Sequence, residues 1–245
     1  MTARSRYLMI GLVTLFVGLL AMFPARVAYR WFAPPGVAMS GIDGSIWRAK
    51  VREGYIRGIY VRNVDLSMQP LALFTGKLGY AIEANAASGF VNGSVAIGPG
   101  GSAEWTDLTA SFSLQALQDS VAMPGLSGTV NLKFERLAFE NNVPVAAVGN
   151  VEVANLRAPL IHRAAIGGFR ADFFTQETGV MASVEDTDAV VDLAGSLSLA
   201  PDRTYQFLAQ VAPKGNTPAE LKEQMRFLGT ANERGQYELR LEGQL

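Results

Sequence analysis

Few side chains in this 245-residue chain could do chemistry. There is one histidine, His162, in APLIHRAAIGG, and no cysteine. A zinc site of ordinary type needs three or four His, Cys or carboxylate ligands, so one cannot form around His162 in the usual way. The lack of cysteine also excludes disulfides, thiol catalysis and cysteine metal sites. A Ser–His–Asp triad could arise only by folding, because no G-x-S-x-G turn presents a nucleophile; His162 reads as a structural or surface residue. Glu185, Asp186 and Asp188 are the densest acidic group. Calcium uses such oxygens, but the D-x-D-x-D-G loop is absent, so the group reads as a solvated turn. Gly98-Pro99-Gly100-Gly101 lacks the lysine of a phosphate loop and opens no helix. Trp47 follows Gly44-Ser45-Ile46 among alternating basic residues; it reads as a packing residue, with a binding anchor as the alternative. No catalytic residue, cofactor or metal is expected, and the chain does not read as an enzyme.

The element that must position everything else is the run YLMIGLVTLFVGLLAMF, Tyr7 to Phe23. It has seventeen residues and no charge. A bilayer core about 30 Å thick needs roughly 20 apolar helical residues, with 17 near the lower limit. The run therefore predicts a membrane anchor that presents Tyr7, Leu12, Phe16, Leu20 and Phe23, with Trp31 at the interface. A cleaved signal peptide is the rival reading, but it needs small residues at −3 and −1. Cleavage after Ala28 puts Arg26 at −3, and cleavage after Ala25 puts Phe23 there. Two arginines flank each side, so charge alone leaves the orientation balanced. The six-residue front tail favours a short cytoplasmic tail and an exported body. The expected organisation is a tail and transmembrane anchor over 1–30, a juxtamembrane linker over 31–40 in which Pro34-Pro35 stops the helix, and a periplasmic β-sheet domain over 41–245.

Residues 1–30 carry four arginines and no acid, which leaves 17 basic and 22 acidic residues beyond, a net of −5. Nucleic-acid binders display a basic face, so nucleic acid is not an expected partner.

Beyond residue 40 the dominant period is two, the signature of an antiparallel sheet with one apolar face and one wet face. GTVNLKF alternates Val130, Leu132 and Phe134 against Thr129, Asn131 and Lys133. LAGSLSLAPDRTYQFLAQV reads as a hairpin about Pro201-Asp202-Arg203. YELRLEGQL alternates to Leu245. Gly41, Gly44, Gly54 and Gly58 punctuate the first strands, and Pro70 to Phe74 (PLALF) reads as a corner that packs an apolar knuckle. One helix is expected: Thr217 as N-cap, Pro218 at the first position and Glu220 completing a T-x-x-E box. Leu221, Met225 and Leu228 form its apolar stripe, and Gly229 closes it. A helix this short cannot stand alone, so its stripe should dock on the sheet.

GIDGSIWRAKVREGYIRG, the PLALFTGKLGY block and the closing LAGSLSLAPDRTYQFLAQV…MRFLGTANERGQYELRLEGQL resemble the bacterial type II secretion system protein N family. Gly41, Gly44, Trp47, Gly195, Gly229 and Gly243 occupy family motif positions, mostly turn glycines whose order is the specific feature. Arg48-Ala49 and Asn232-Glu233-Arg234 depart from the usual pattern. The resemblance implies a mainly β protein with an N-terminal transmembrane helix and a curved, open antiparallel sheet like that of AsmA-type proteins. It implies a non-enzymatic accessory component of the inner membrane, with other type II secretion subunits as partners. Those partners would be held by sheet edges or by loops such as Gly36 to Ala49. The alternative is a membrane-tethered β-groove that binds or transfers lipid or another apolar ligand.

Overall fold

The computed structural model describes residues 3–33, 36–56, 59–86, 89–117 and 124–244. Pro34-Pro35, Gly58 and Leu245, all read from the sequence as turn or strand positions, lie outside the described residues. Two helices come first, α1 (Ala3–Ala21) and α2 (Ala25–Phe32). Thirteen strands follow: β1 (Val37–Ser45), β2 (Arg48–Ile56), β3 (Ile59–Gln69), β4 (Leu78–Ala86), β5 (Gly89–Ile97), β6 (Ala103–Ser113), β7 (Ser127–Glu140), β8 (Val143–Ala158), β9 (His162–Gln176), β10 (Gly179–Asp186), β11 (Val191–Leu199), β12 (Thr204–Pro213) and β13 (Tyr237–Gln244). A third helix, α3 (Ala219–Met225), interrupts the connection from β12 to β13.

The strands form one antiparallel sheet in strict sequence order, β1 to β13. β1 and β13 do not pair with each other among the described residues, so the sheet is open. The expected mainly β, open antiparallel architecture is therefore what the chain adopts. The predicted hairpin closes as read, with Leu199 opposite Tyr205 and Gly195 opposite Ala209.

The register of this open meander is broken at several places. Register shifts occur between Arg62 and Asp65, between Asn92 and Ser94, and between Val153 and Leu156. Asn63, Asp107 and Asn155 sit at those breaks with positive φ. Asn and Asp tolerate the left-handed region better than other non-glycine residues, and each bulge adds local twist.

The apolar face is lined by successive clusters. Val51, Val61, Val64 and Ala84 pack across the first strands. Leu108, Phe134, Ala147 and Val180 pack in the middle, where the rings of Phe134 and Phe173 lie 5.5 Å apart. Ala189, Val191 and Val211 pack under Leu221 and Met225 of α3 at the far end. The docking expected of the C-terminal helix is thus present in Leu221 and Met225, both buried, whereas Leu228 is 39% exposed and lies in the turn Arg226–Leu228 that follows.

Three local expectations are corrected. Thr217 does not cap α3: the N-cap is Pro218, with no side-chain cap bond, and the helix begins at Ala219. The Thr217 hydroxyl instead donates to the Val190 carbonyl and accepts from the Lys214 N–H at 2.6 Å, so it ties the helix to the sheet. The PLALF corner buries no apolar knuckle: Pro70–Thr75 is a 3-10 turn with no buried residue, and only Ala72 is half-buried, against Gly79 of β4. At the N-terminus α1 ends at Ala21, two residues short of the expected run, and Trp31 lies in α2 rather than in a hinge. Among the described residues, no helix is long and apolar enough to cross a membrane.

Candidate functional site

The feature with the most unusual geometry is the junction between the helices and the first hairpin. Proline at 24 cannot donate a backbone hydrogen bond, which ends the first helical run. The helix resumes at Ala25, and its sequence ARVAYRWF places Ala25, Ala28 and Tyr29 on one face, with Arg26 and Arg30 four apart on another. That first face lies on the sheet: Ala25 is buried, and Ala28 and Tyr29 are half-buried. The Tyr29 hydroxyl donates to the Val37 carbonyl at 3.0 Å and accepts from the Met39 N–H at 2.9 Å. It thereby occupies the outward backbone groups of β1 that a further strand would use.

The tip of the β1–β2 hairpin closes the other side. Ser45 forms a β-bridge with Pro24, and the Ile46 N–H donates to the Phe23 carbonyl at 3.0 Å. The Trp47 indole N–H donates at 3.0 Å to the Leu20 carbonyl, which also accepts from the Phe23 N–H at 3.4 Å at the end of α1. The Trp47 carbonyl in turn accepts from Met68 of β3 at 2.9 Å. Gly44 makes the hairpin possible: its φ is +93°, and a Cβ there would collide with the Arg48 carbonyl oxygen. Gly41 faces Arg52 across the same hairpin, whose Cβ lies 2.7 Å from where a Gly41 Cβ would stand. Phe23 packs its ring 5.8 Å from that of Trp31. Tyr7, Leu12, Phe16 and Leu20 all project from α1 with side chains 45–75% exposed. Gly36 to Ala49, read from the sequence as a loop, is mostly strand β1 and its turn.

At the opposite edge, β13 has one strand neighbour, β12. The glycines predicted there serve close packing. A Cβ on Gly243 would stand 2.8 Å from the Tyr205 hydroxyl and 2.9 Å from its ring, and one on Gly195 2.7 Å from the Ala209 Cβ. Gly229 follows α3 with φ +125°.

The acidic group is not a uniform solvated turn. Asp186 is 8% exposed at its side chain, pairs with Lys214 and accepts from the Leu193 N–H at 2.8 Å. Burial pushes its carboxyl up, but the Lys214 and Leu193 hydrogen bonds and the Lys214 charge outweigh burial and hold it below the ordinary value. Lys214 also donates to the Ala189 carbonyl at 3.2 Å. This strap, with Thr217, fastens the α3 connection to the β10–β11 turn. A lone acid cluster in sequence does not reveal it, because Lys214 lies 28 residues away.

His162 begins β9, and its Nδ1 stands 3.8 Å from Glu220 Oε2, beyond hydrogen-bond reach. Glu220 is 82% exposed at its side chain. Among the described residues, no group of three or more His, Asp or Glu is placed to hold a metal ion. A wholly apolar concavity of about 110 Å³ lies in the sheet between Phe134, Leu137, Ala147, Phe173 and Val180. Pockets for small ligands run to about 300–1,000 Å³, so this one accommodates little beyond a few methyl groups.

The family model described as Type II secretion system (T2SS), protein N, matches residues 35–240. A protein named Type II secretion system protein N from Vibrio cholerae serotype O1 is 27% identical over 240 residues, covering 94% of each chain. Its namesake from Aeromonas hydrophila is 23% identical over 235 residues, covering 93% of each. That of Pectobacterium carotovorum subsp. carotovorum is 26% identical over 126 residues, 42% of this chain and 50% of that protein. Among solved structures none matches significantly.

Proposed function

This chain belongs to the type II secretion system protein N family, and from that membership we propose that it is a non-enzymatic accessory component of a type II secretion system. In this reading it sits in the inner membrane by its N-terminal helix, places the sheet in the periplasm, and assists export of folded proteins across the outer membrane. The observation that carries the reading is the family match, which runs from residue 35 to residue 240 and so takes in β1 through the first half of β13.

The geometry favours an anchored scaffold. Leu12, Val13, Leu15, Phe16, Val17 and Leu19 are 55–70% exposed, so none of the described residues of the body covers this stretch of α1. A helix apolar all round requires lipid or another protein as its surroundings. The apolar run continues past Ala21 through Met22 and Phe23, which brings it to the lower limit for a crossing. The two sheet edges differ: Tyr29 blocks part of β1, whereas among the described residues no strand pairs with the outer side of β13, which suits a partner strand. Other inner-membrane secretion subunits are the partners this arrangement suits. The lipid-groove alternative fits less well, since α3 covers one end of the apolar face and the central concavity is small.

The test is detergent extraction of the native protein followed by crosslinking and mass spectrometry, in cells that express the secretion genes. Recovery of other type II inner-membrane subunits supports the proposal. Recovery of none, with phospholipid copurifying in stoichiometric amount, refutes it in favour of the groove.

A further inference from the structure

In a strictly sequential antiparallel meander, alternate connections fall at the same end of the sheet. The β1–β2 turn, which clasps α1, therefore shares its end with the β3–β4 connection, Pro70–Thr75. The link is direct: Trp47 bonds the Leu20 carbonyl on one side and Met68 on the other, and Met68 stands two residues before Pro70. Strand spacing of about 4.8 Å puts the turn within roughly 10 Å of the helix end.

This turn exposes what a soluble protein normally covers. Leu71 is 79% exposed and Phe74 88%. Beside them, Leu78 and Ile97 face each other across β4 and β5 and are 50% and 48% exposed. Met22, at the α1–α2 junction, is 81% exposed, and Trp31 and Phe32, at the far end of α2, are 66% and 78% exposed. Two carbonyls of the turn are satisfied locally. The Gly76 N–H donates to Leu73 at 3.0 Å, the Lys77 N–H to Ala72 at 3.1 Å, and the Thr75 hydroxyl to Ala72 at 2.8 Å. The base of the turn is fixed by Lys77, whose ammonium donates to Glu104 at 2.7 Å.

The later turns at this end have another character. Glu140-Asn141-Asn142, Glu177-Thr178 and Asp202-Arg203 are exposed and polar. Helix α2 at the junction end supplies the exposed Arg26 and Arg30 instead. Exposed Leu160, Ile161 and Phe227 belong to connections at the opposite end, away from α1.

We propose that Leu71 and Phe74 form a second bilayer contact, dipping into the lipid interface beside α1 so that the sheet stands on the membrane by its first strands with its later hairpins raised. The occupant is the lipid surface because the turn shares its end of the sheet with the helix end, aromatic and aliphatic side chains there suit the headgroup boundary, and the exposed Arg26 and Arg30 of α2 suit anionic lipid. This inference rests on the membrane-anchor reading of α1.

The cysteine-free chain permits a direct test. Full-length Leu12→Cys, Leu71→Cys, Phe74→Cys and Asn142→Cys variants would each carry an environment-sensitive fluorophore. They would be reconstituted in phosphatidylethanolamine–phosphatidylglycerol vesicles with and without doxyl-labelled lipid. The expected result is blue-shifted, lipid-quenched emission at positions 12, 71 and 74, and neither effect at 142. Quenching at 12 with emission at 71 and 74 like that at 142 would overturn the second contact while sparing the anchor. A blue shift at 71 and 74 without lipid quenching would assign the turn to a protein contact, and also overturns it. No quenching at 12 would overturn the anchor reading and this inference together.

Discussion

The Trp47 indole N–H lies 3.0 Å from the Leu20 carbonyl oxygen, 27 residues earlier in the chain. Through it the first hairpin holds the last turn of α1, and the helix and the sheet share a joint rather than a loose tether. Replacing Trp47 with Phe keeps a ring and removes the donor. The lost bond is worth about 1 kcal/mol, which raises local opening about fivefold. Tryptic cleavage at Arg26 and Arg30 of the detergent-solubilised protein should accelerate by that factor, with cleavage in β7 to β9 unchanged. Equal acceleration everywhere would mean that the bond stabilises the whole fold and not the joint.

Asp186 gives the far end of the sheet an acid-sensitive strap. Its folded carboxyl titrates below the unfolded value of about 3.9, so its stabilisation is complete above that value and is lost as pH falls through the folded one. The melting temperature should therefore drop below about pH 4, and Asp186→Asn should flatten that part of the curve. At neutral pH, Asp186→Ala should cost about 2 kcal/mol, through a lost charge-assisted bond and an unpaired Lys214. Amide exchange should quicken over 214–228 more than over 37–69.

Gly149 has φ +154°, and a Cβ there would stand 2.6 Å from the Phe134 Cα and collide with the Lys133 carbonyl oxygen. Gly149→Ala combines backbone strain with a clash against the neighbouring strand, a loss of about 3 kcal/mol measured by urea denaturation. Gly215→Ala, where a Cβ meets nothing within 4 Å, should change the midpoint little.

Phe134 is 6% exposed and centres the middle cluster. Phe134→Ala should cost about 3–5 kcal/mol and enlarge the dry concavity beside Phe173. Phe74→Ala, at a side chain 88% exposed, should leave the melting temperature of the detergent-solubilised protein unchanged.

The strands were legible because alternation with period two survives wherever one face is buried: Val130, Leu132 and Phe134, or Leu197 and Leu199 against Phe207 and Tyr205, mark their pairing in the sequence itself. The bulges at Asn63, Asp107 and Asn155 were not, since a single Asn or Asp carries no signal until its partner strand is known. Helix α2 had a readable face in Ala25, Ala28 and Tyr29, but in sequence those residues read as the end of the anchor, and Trp31 and Phe32 as linker. Thr217 met every local criterion of an N-cap and was claimed by the Val190 carbonyl, a contact set by tertiary packing. The Trp47–Leu20 bond and the Asp186–Lys214 pair span 27 and 28 residues, beyond what a local pattern specifies.

The proposed role requires contact with other type II secretion subunits. The most direct measurement is photocrosslinking in secreting cells from a light-activated amino acid placed at Arg240 on the unpaired edge β13, with the same probe at Asn142 as a control. The account predicts covalent adducts from position 240 that contain another inner-membrane secretion subunit, and none from position 142. Adducts with no secretion subunit from either position, in cells that still secrete, would contradict it.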